Sequence, residues 1–346
     1  MSPQPAPKPH RTPRENPAKS TLLDWLLGQF PSSPKSRAKQ WILDGRVTVN
    51  GTVVRRPHQP LDPGDLPELQ TRHSKSAELG NGWQIHPRVT LLHLDASVAI
   101  VNKGPGLLSV PATGADLSAL SILADFLAGR LQSRNFRQSS LPAAYRRLEP
   151  LPVHRLDQYT TGIFCLAMNP GSRRHLIEQI KEHTMHREYI AFVEGQPAAP
   201  RGTWRDWVQL SRDEMRQMVV EAPAGDRQHV GIAREAITHY EVIETFSGGS
   251  PVVTKLRLVL ETGRKHQIRL QAAHVGLPLV GDRTYNPRTR LDNLSGDMLV
   301  AFPRQALHSS SLTLEHPEQK GRTCTWAAGL PDDLRRLEAA LRAGSR

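Results

Sequence analysis

The spacing of apolar positions divides the chain into stretches of helical and of strand character. Leu22, Trp25 and Leu26 fall on one helical face, and Thr21 can cap that helix with Asp24 three residues on. A second helix, opening at Ser33 or Ser36, has Ala38, Trp41 and Ile42 as its apolar face, with Gly45 where a C-cap is expected. VTVNGTVV follows. Its alternating valines around Asn50-Gly51 predict a type I′ hairpin, and Leu61-Asp62-Pro63-Gly64-Asp65 closes the unit. Residues 67–88 are polar and mixed and predict a linker.

A larger domain is expected over 89–335. VTLLHLDASVAIVNKGPG predicts two strands split at Asp95-Ala96-Ser97, and Leu117 to Leu131 a helix, followed by a basic loop over 132–150. IFCLAM (163–168) predicts a buried strand, and Asn169 caps a helix that turns Leu176, Ile177 and Ile180 inward. EYIAFVEG and KLRLVLETG predict strands, and a helix is expected from about Lys265 to Val275. Strands and helices mix without a regular βαβ repeat. The fold class is therefore α+β, with a mixed, mainly antiparallel sheet and flanking helices. Residues 1–19, rich in proline and charge, predict a disordered basic tail, and 336–346 a C-terminal tail.

Charge sharpens this picture. Among 346 residues, 45 Lys and Arg oppose 33 Asp and Glu, a net +12, and seven of these twelve charges fall within residues 1–60. An N-terminal module for a polyanion such as RNA follows. No run of about 18 apolar residues occurs, so a spanning helix and a membrane partner are not expected, and the first 19 residues lack the apolar core of a secretory signal. Cys165 and Cys324 are too few for a disulfide framework or a cysteine-rich zinc site, which fits a reducing, cytoplasmic setting.

Three segments carry candidate chemistry. In PVHRLDQYTTG (152–162), Arg155 and Asp157 stand two apart at the mouth of a strand, so both point to one side, with His154 and Thr160 beside them. In LETGRKHQIRL, a glycine turn opens a helix carrying His266, Gln267 and Arg269; its N-terminal amides, with Arg264 and Arg269, suit a phosphate or carboxylate. HREYIAFVEG places Tyr189 at a strand start, where it can stack on a base or move a proton. Rival uses are weaker. A zinc site of His266, His274 and Asp282 has no tight ligand spacing, and a glycosidase needs two flanking carboxylates where only Asp157 stands out.

SRAKQWILDGRVTVNGTVV followed by LDPGDL resembles an S4 RNA-binding domain over about residues 20–66. That resemblance implies that Lys35, Arg37, Lys39 and Arg46 meet RNA. HRLDxxTTG, the strand-borne tyrosine and TGRxHQIR…GxPLxGDxxY, in that order, resemble the RluA-like pseudouridine synthases. VNKGPGLLSVP and RQALHSSSLTLEHP resemble that family's entry and closing motifs, so the likeness spans about 91–318. It implies isomerisation of uridine to pseudouridine in structured RNA, ribosomal first and transfer RNA second, a redox-neutral reaction for which no cofactor and no metal are expected. No coiled-coil pattern or extra apolar stripe shows, so a monomer with no obligate protein partner is expected. It further implies Asp157 as the catalytic aspartate, Tyr189 as its active-site tyrosine and Arg269 as the aspartate's partner. Arg155 would hold the flipped nucleotide; His154, Thr160, Arg264, His266 and Gln267 would shape the substrate site. Gly104, Thr161, Arg187, Gln271 and Ser309 depart from the family's usual residues and bear on specificity.

Overall fold

The computed structural model describes residues 20–344 except 30–33, 44–46, 51, 70–81, 115, 132–144, 212–215, 223–232, 249–250 and 287–301. The expected tail over 1–19, Gly45, Arg46 and most of the 132–150 loop lie outside these residues, as does the side chain of Arg37. The chain divides into two compact units, Met1–Arg72 and His73–Arg346.

In the first unit, α1 (Leu22–Gln29) begins with a reciprocal cap. Thr21 N donates to Asp24 Oδ2 at 3.1 Å, and Asp24 N donates to Thr21 Oγ1 at 3.3 Å. Leu22, Leu23 and Leu26 pack with Ala38 and Ile42 of α2 (Lys35–Leu43) and with Val47, Val49 and Val54 of the hairpin β1 (Val47–Val49) and β2 (Thr52–Val54). Asn50 adopts φ 53°, as the two-residue turn requires. Its side chain donates to Asp65 Oδ1 at 2.8 Å and accepts Leu66 N at 3.0 Å, tying the turn to the closing loop. The linker expected from residue 67 does not begin there: β3 (Pro67–Leu69) pairs antiparallel with β1. Three residues headed by proline are too short to display an alternating pattern.

Among the described residues of the second unit, twelve strands form one sheet. They are β4 (Trp83–His86), β5 (Val89–Leu94), β6 (Val98–Lys103), β7 (Leu151–Pro152), β8 (Thr161–Ala167), β9 (His186–Glu194), β10 (Arg201–Leu210), β11 (Gln217–Val220), β12 (Arg234–Phe246), β13 (Val253–Leu260), β14 (Leu307–Glu315) and β15 (Thr323–Ala327). The order is β11-β10-β12-β13-β9-β14-β8-β6-β5-β4, with β15 on β14 and β7 on β8. Every pairing is antiparallel except β14 with β8, where His308 faces Thr161 and Ser309 faces Gly162. The mixed, mainly antiparallel sheet is as expected. The domain starts earlier than residue 89, however, because Trp83 and Gln84 pair with Leu91 and Thr90.

The sheet buries both faces at β8, and alternation sorts its side chains. Phe164 and Leu166 enter one core with Ile122, Leu123 and Phe126 of α3 (Ala119–Leu127) and Ile268 and Ala272 of α5 (Gln267–His274). Ile163, Cys165 and Ala167 enter the other with Leu176 of α4 (Pro170–Lys181). α3 is shorter than its expected 117–131: Ser118 and Ser121 form a reciprocal cap at its start, and Gly129 at φ 85° follows its C-cap, Ala128. Residues 336–344 are no tail. They belong to α6 (Asp332–Gly344), whose Leu334, Leu337 and Leu341 are buried against Phe192, Phe246 and Val280. Three buried leucines at about 2 kcal/mol each hold it in place.

Asp95 fastens the β5–β6 turn. Its Oδ1 accepts Ser97 N (2.7 Å) and Val98 N (2.8 Å), while Oδ2 meets His93 Nε2 and His316 Nε2, each at 2.8 Å. His316 Nδ1 accepts the amides of Glu318 and Gln319, so its proton sits on Nε2 and points at the carboxylate. These hydrogen bonds hold the Asp95 carboxyl well below the usual range despite its burial.

Candidate active site

The loop between β7 and β8 carries Asp157, and remote side chains grip the backbone on both sides of it. Ser109 Oγ donates to Leu156 O (2.9 Å) and accepts Leu156 N (3.0 Å). Lys103 is fully buried at the end of β6; its ammonium donates to Gly104 O, Leu107 O and Gln158 O at 3.1, 3.0 and 3.0 Å. Burial pushes the Lys103 pKa down to about 7, and Asp157 opposes that shift. Arg304 Nη1 donates to Tyr159 O at 3.1 Å, while Nε and Nη2 fork onto Asp333 of α6 at 2.7 and 3.0 Å. Gly162, the second residue of β8, has φ 111°, and any Cβ there would lie 2.1 Å from Ser309 O, so the parallel β8–β14 contact demands glycine.

The Asp157 side chain is 19% exposed, and its Oδ2 accepts Arg269 Nη1 at 3.0 Å. Arg269 rises from the first turns of α5. Its Nε and Nη2 donate to Asp282 Oδ2 and Oδ1 at 2.7 and 2.9 Å, and Nη2 also donates to Thr284 Oγ1 at 3.0 Å. The guanidinium lies 5.3 Å from the Tyr285 ring centroid. The two carboxylates raise its pKa beyond the ordinary arginine value despite its burial, and the same guanidinium holds buried Asp282 below the carboxylate range. His266 lies beside them, with Nε2 3.8 Å from Asp157 Oδ1. Tyr285 Oη accepts Gln217 N (2.8 Å), which leaves its hydroxyl proton for His266 Nδ1 at 3.1 Å. Burial lowers the His266 pKa, so the ring is neutral near pH 7 with Nε2–H toward the carboxylate.

His154, Arg155, Asp157, Thr160, Tyr189, Arg264, His266, Gln267 and Arg269 all line one cavity of about 300 Å³. The structure therefore brings together every residue singled out for catalysis or substrate contact, but not all in the expected manner. Arg155 is exposed at the rim. Arg264 donates Nε to Glu235 O at 2.9 Å. Gln267, expected to touch substrate, is fully occupied within the protein. Its Oε1 accepts Thr262 Oγ1 and Arg264 N, and its Nε2 donates to Ile237 O and Thr238 Oγ1, all within 3.0 Å. It shapes the turn into α5, where His266 at φ 55° delays the helix by two residues. Thr160 is buried with its Oγ1 toward Gln305 (3.3 Å). His154 Nε2 accepts Cys165 N at 3.2 Å; burial and Arg187 push its pKa down to about 3, which keeps it neutral.

Tyr189 is buried, and burial raises its pKa; Arg187 and Ser309 oppose the shift, and Asp157 adds to it. The zinc grouping imagined from spacing does not assemble: His274 approaches Asp206, while Asp282 serves Arg269. From sequence, Asp282 figures only in a rival use, and its fork with Arg269 is missed although GDxxY displays the residue. Lys103 and Arg304 were legible only as motif letters, not as clamps. The departure Gln271 is fully employed away from the cavity, with Asp206, Ala236 and Thr238, whereas Ser309 donates to Ile163 O and also meets the Tyr189 phenol in the cavity wall.

Comparison with known proteins agrees with this geometry. The profile of the RNA pseudouridylate synthase family matches residues 97–274, and that of the S4 domain residues 21–66. The chain is 33% identical over 333 residues to ribosomal large subunit pseudouridine synthase D of Yersinia pestis, covering 93% of this chain and 91% of that one. It is 31% identical over 344 residues to the protein of that name from Escherichia coli, covering 96% and 94%. The solved structure of human RNA pseudouridylate synthase domain containing 4 shares the fold at a TM-score of 0.51 and 22% identity, over 73% of this chain and 92% of that one. The chain belongs to the RNA pseudouridylate synthase family and carries an S4 domain. Its activity is the isomerisation of uridine to pseudouridine in RNA. Among the described residues, no helix is long and apolar enough to cross a membrane.

Proposed function

We propose that this chain modifies uridine in the ribosomal RNA of the large subunit, acting as a cytoplasmic monomer. The names of its relatives support the substrate, since both refer to the large ribosomal subunit. The observation that carries the catalytic assignment is a partly exposed carboxylate, Asp157, 3.0 Å from a buried guanidinium in a cavity that also contains Tyr189. An extruded pyrimidine nucleotide suits a cavity of about 300 Å³. Extrusion costs a few kcal/mol, which phosphate contacts offset. The exposure of Arg155 at the rim supports its contact with the displaced nucleotide's backbone. Lys35 and Lys39 are exposed on α2 and, with Arg37 and Arg46, form the proposed S4 contact.

Asp157, held by Arg269 Nη1 at 3.0 Å, acts at the sugar while the N1–C1′ bond breaks. The uracil turns and rejoins through C5, and loss of the C5 proton completes a redox-neutral rearrangement that conserves every atom. Burial keeps Tyr189 as neutral phenol, which favours stacking on the base. The test is tritium release from large-subunit ribosomal RNA transcribed with 5-tritiated uridine, beside a transfer RNA transcript. We expect release from the former that D157A abolishes. Release from transfer RNA alone would overturn the substrate, and full activity of D157A the assignment.

A further inference from the structure

The inward face of β9 carries Arg187, Tyr189, Ala191 and Val193 in alternation. Three of these join the apolar core, whereas the first places a guanidinium in the wall of the Asp157 cavity. Arg187 is 4% exposed. Its one hydrogen bond to a described residue is a long 3.5 Å contact from Nη2 to Thr262 O, and its buried Nε has no partner among the described residues. No described carboxylate pairs with it, in contrast to Arg269 and Arg304. Space is reserved for it: a Cβ on Gly263 would lie 2.7 Å from Arg187 Nη1. Arg187 and Asp157 both reach the Tyr189 phenol electrostatically, with opposite signs, so all three groups converge on one space.

A buried guanidinium without a counter-charge is unfavourable by several kcal/mol unless something else supplies the charge. The reaction supplies one. Heterolysis of N1–C1′ leaves the bonding pair on uracil, delocalised over N1 and the two carbonyl oxygens. Attack of C5 on C1′ uses that pair, the C5 proton leaves, and N1 gains a proton, so atoms and charge balance. The negative charge on the base is the same whether Asp157 attacks C1′ or removes a sugar proton.

We propose that Arg187 is a catalytic residue that donates to a carbonyl oxygen of the target uracil and holds the detached uracil anion while it turns. This rests on the assignment of the cavity around Asp157 as the active site. A donor aimed at developing charge in a water-excluded site acts mainly in the transition state. A backbone phosphate fits the position less well, because Arg187 is only 4% exposed whereas Arg155 stands exposed at the rim.

The test measures single-turnover loss of N1-linked nucleoside from a large-subunit ribosomal RNA transcript, by nuclease digestion and chromatography, with full-length protein. R187Q is expected to slow the step roughly 100- to 1000-fold with RNA Kd within about threefold of wild type, since phosphates dominate affinity. R187K, which keeps the charge and loses the fork, should fall less. The same transcript made with 5-fluorouridine provides the discriminating arm. Fluorine already stabilises the leaving anion, so the wild-type to R187Q rate ratio should shrink there by at least tenfold. An equal ratio for the two nucleosides, or an undiminished R187Q rate beside an inert D157A, overturns the proposal. If R187Q does not fold, R187K carries the comparison, and its ratio must also shrink. Full activity of D157A would instead remove the site assignment beneath it.

Discussion

Replacing Asp282 by asparagine tests the charge arrangement behind Asp157. Asp282 Oδ1 receives three donors, from Arg269 Nη2, Thr284 N and Tyr285 N, and Oδ2 receives Arg269 Nε at 2.7 Å. Asparagine has one oxygen, which belongs where three donors converge. Its amide nitrogen then faces Arg269 Nε–H, two donors at hydrogen-bond distance. The change removes a charge-assisted hydrogen bond, about 1.5–3 kcal/mol, and leaves a buried N–H unmet, about 1–3 kcal/mol more. A loss of about 3–5 kcal/mol in the catalytic unit follows, within the range for breaking a buried ion pair. Arg269 must also shift, and misplacement by about 1 Å slows catalysis on the order of 100-fold. D157A provides the contrast. Asp157 is partly exposed and Arg269 keeps its fork, so that variant should be inert yet within about 1 kcal/mol of wild type. Urea denaturation followed by tryptophan fluorescence, with tritium release on the same samples, reads both quantities. Loss of less than about 1 kcal/mol in D282N would refute the view that this carboxylate fixes the guanidinium.

Other predictions follow from the same geometry. If neutral Tyr189 chiefly stacks, Y189F keeps its single-turnover rate within about tenfold while Y189A does not; a loss beyond 100-fold in Y189F would show that the phenol oxygen carries a proton. Reversing Lys35 and Lys39 to glutamate should weaken RNA binding and flatten the slope of log K against log salt by about one for each phosphate no longer neutralised; an unchanged slope in a salt titration would clear both lysines. Burial pushes the His308 pKa down to about 4, so the unfolded chain binds the proton first. The stability from a neutral His308 is complete above about pH 6.5 and declines by about 3 kcal/mol as pH falls to about 4. His154 adds to the same trend. Denaturation midpoints from pH 7.5 to 5 should fall in wild type and fall less in H308Q; parallel curves would contradict this.

Local order was legible where neighbours in sequence are neighbours in space. Thr21 with Asp24, Asn50-Gly51 and the apolar 163–168 run declare their elements because each is decided within a few residues. The motifs around Asp157, Tyr189 and Arg269 likewise disclosed a common site, which the cavity assembles. The parallel join of His308 to Thr161 was not legible, since no local pattern encodes a partner 147 residues away. Buried cations were hidden for a related reason. Lys103, Arg187 and Arg304 read as surface charges until the sheet encloses them. The α6 pattern is present at Leu334, Leu337 and Leu341, and a boundary at 335 cuts through it.

The hold of Arg304 on Tyr159 O and on Asp333 has a consequence for when the enzyme becomes an enzyme. The three segments bearing Asp157, Tyr189 and Arg269 all precede residue 286, yet the clamp behind Asp157 belongs to residues 304–333. At 5–20 residues per second, the aspartate's loop leaves the ribosome on the order of ten to thirty seconds before this one of its restraints exists. A nascent chain would thus display the whole set of motifs with the backbone around Asp157 held only by Lys103 and Ser109, and the hold on Tyr159 would arrive as the closing helix docks.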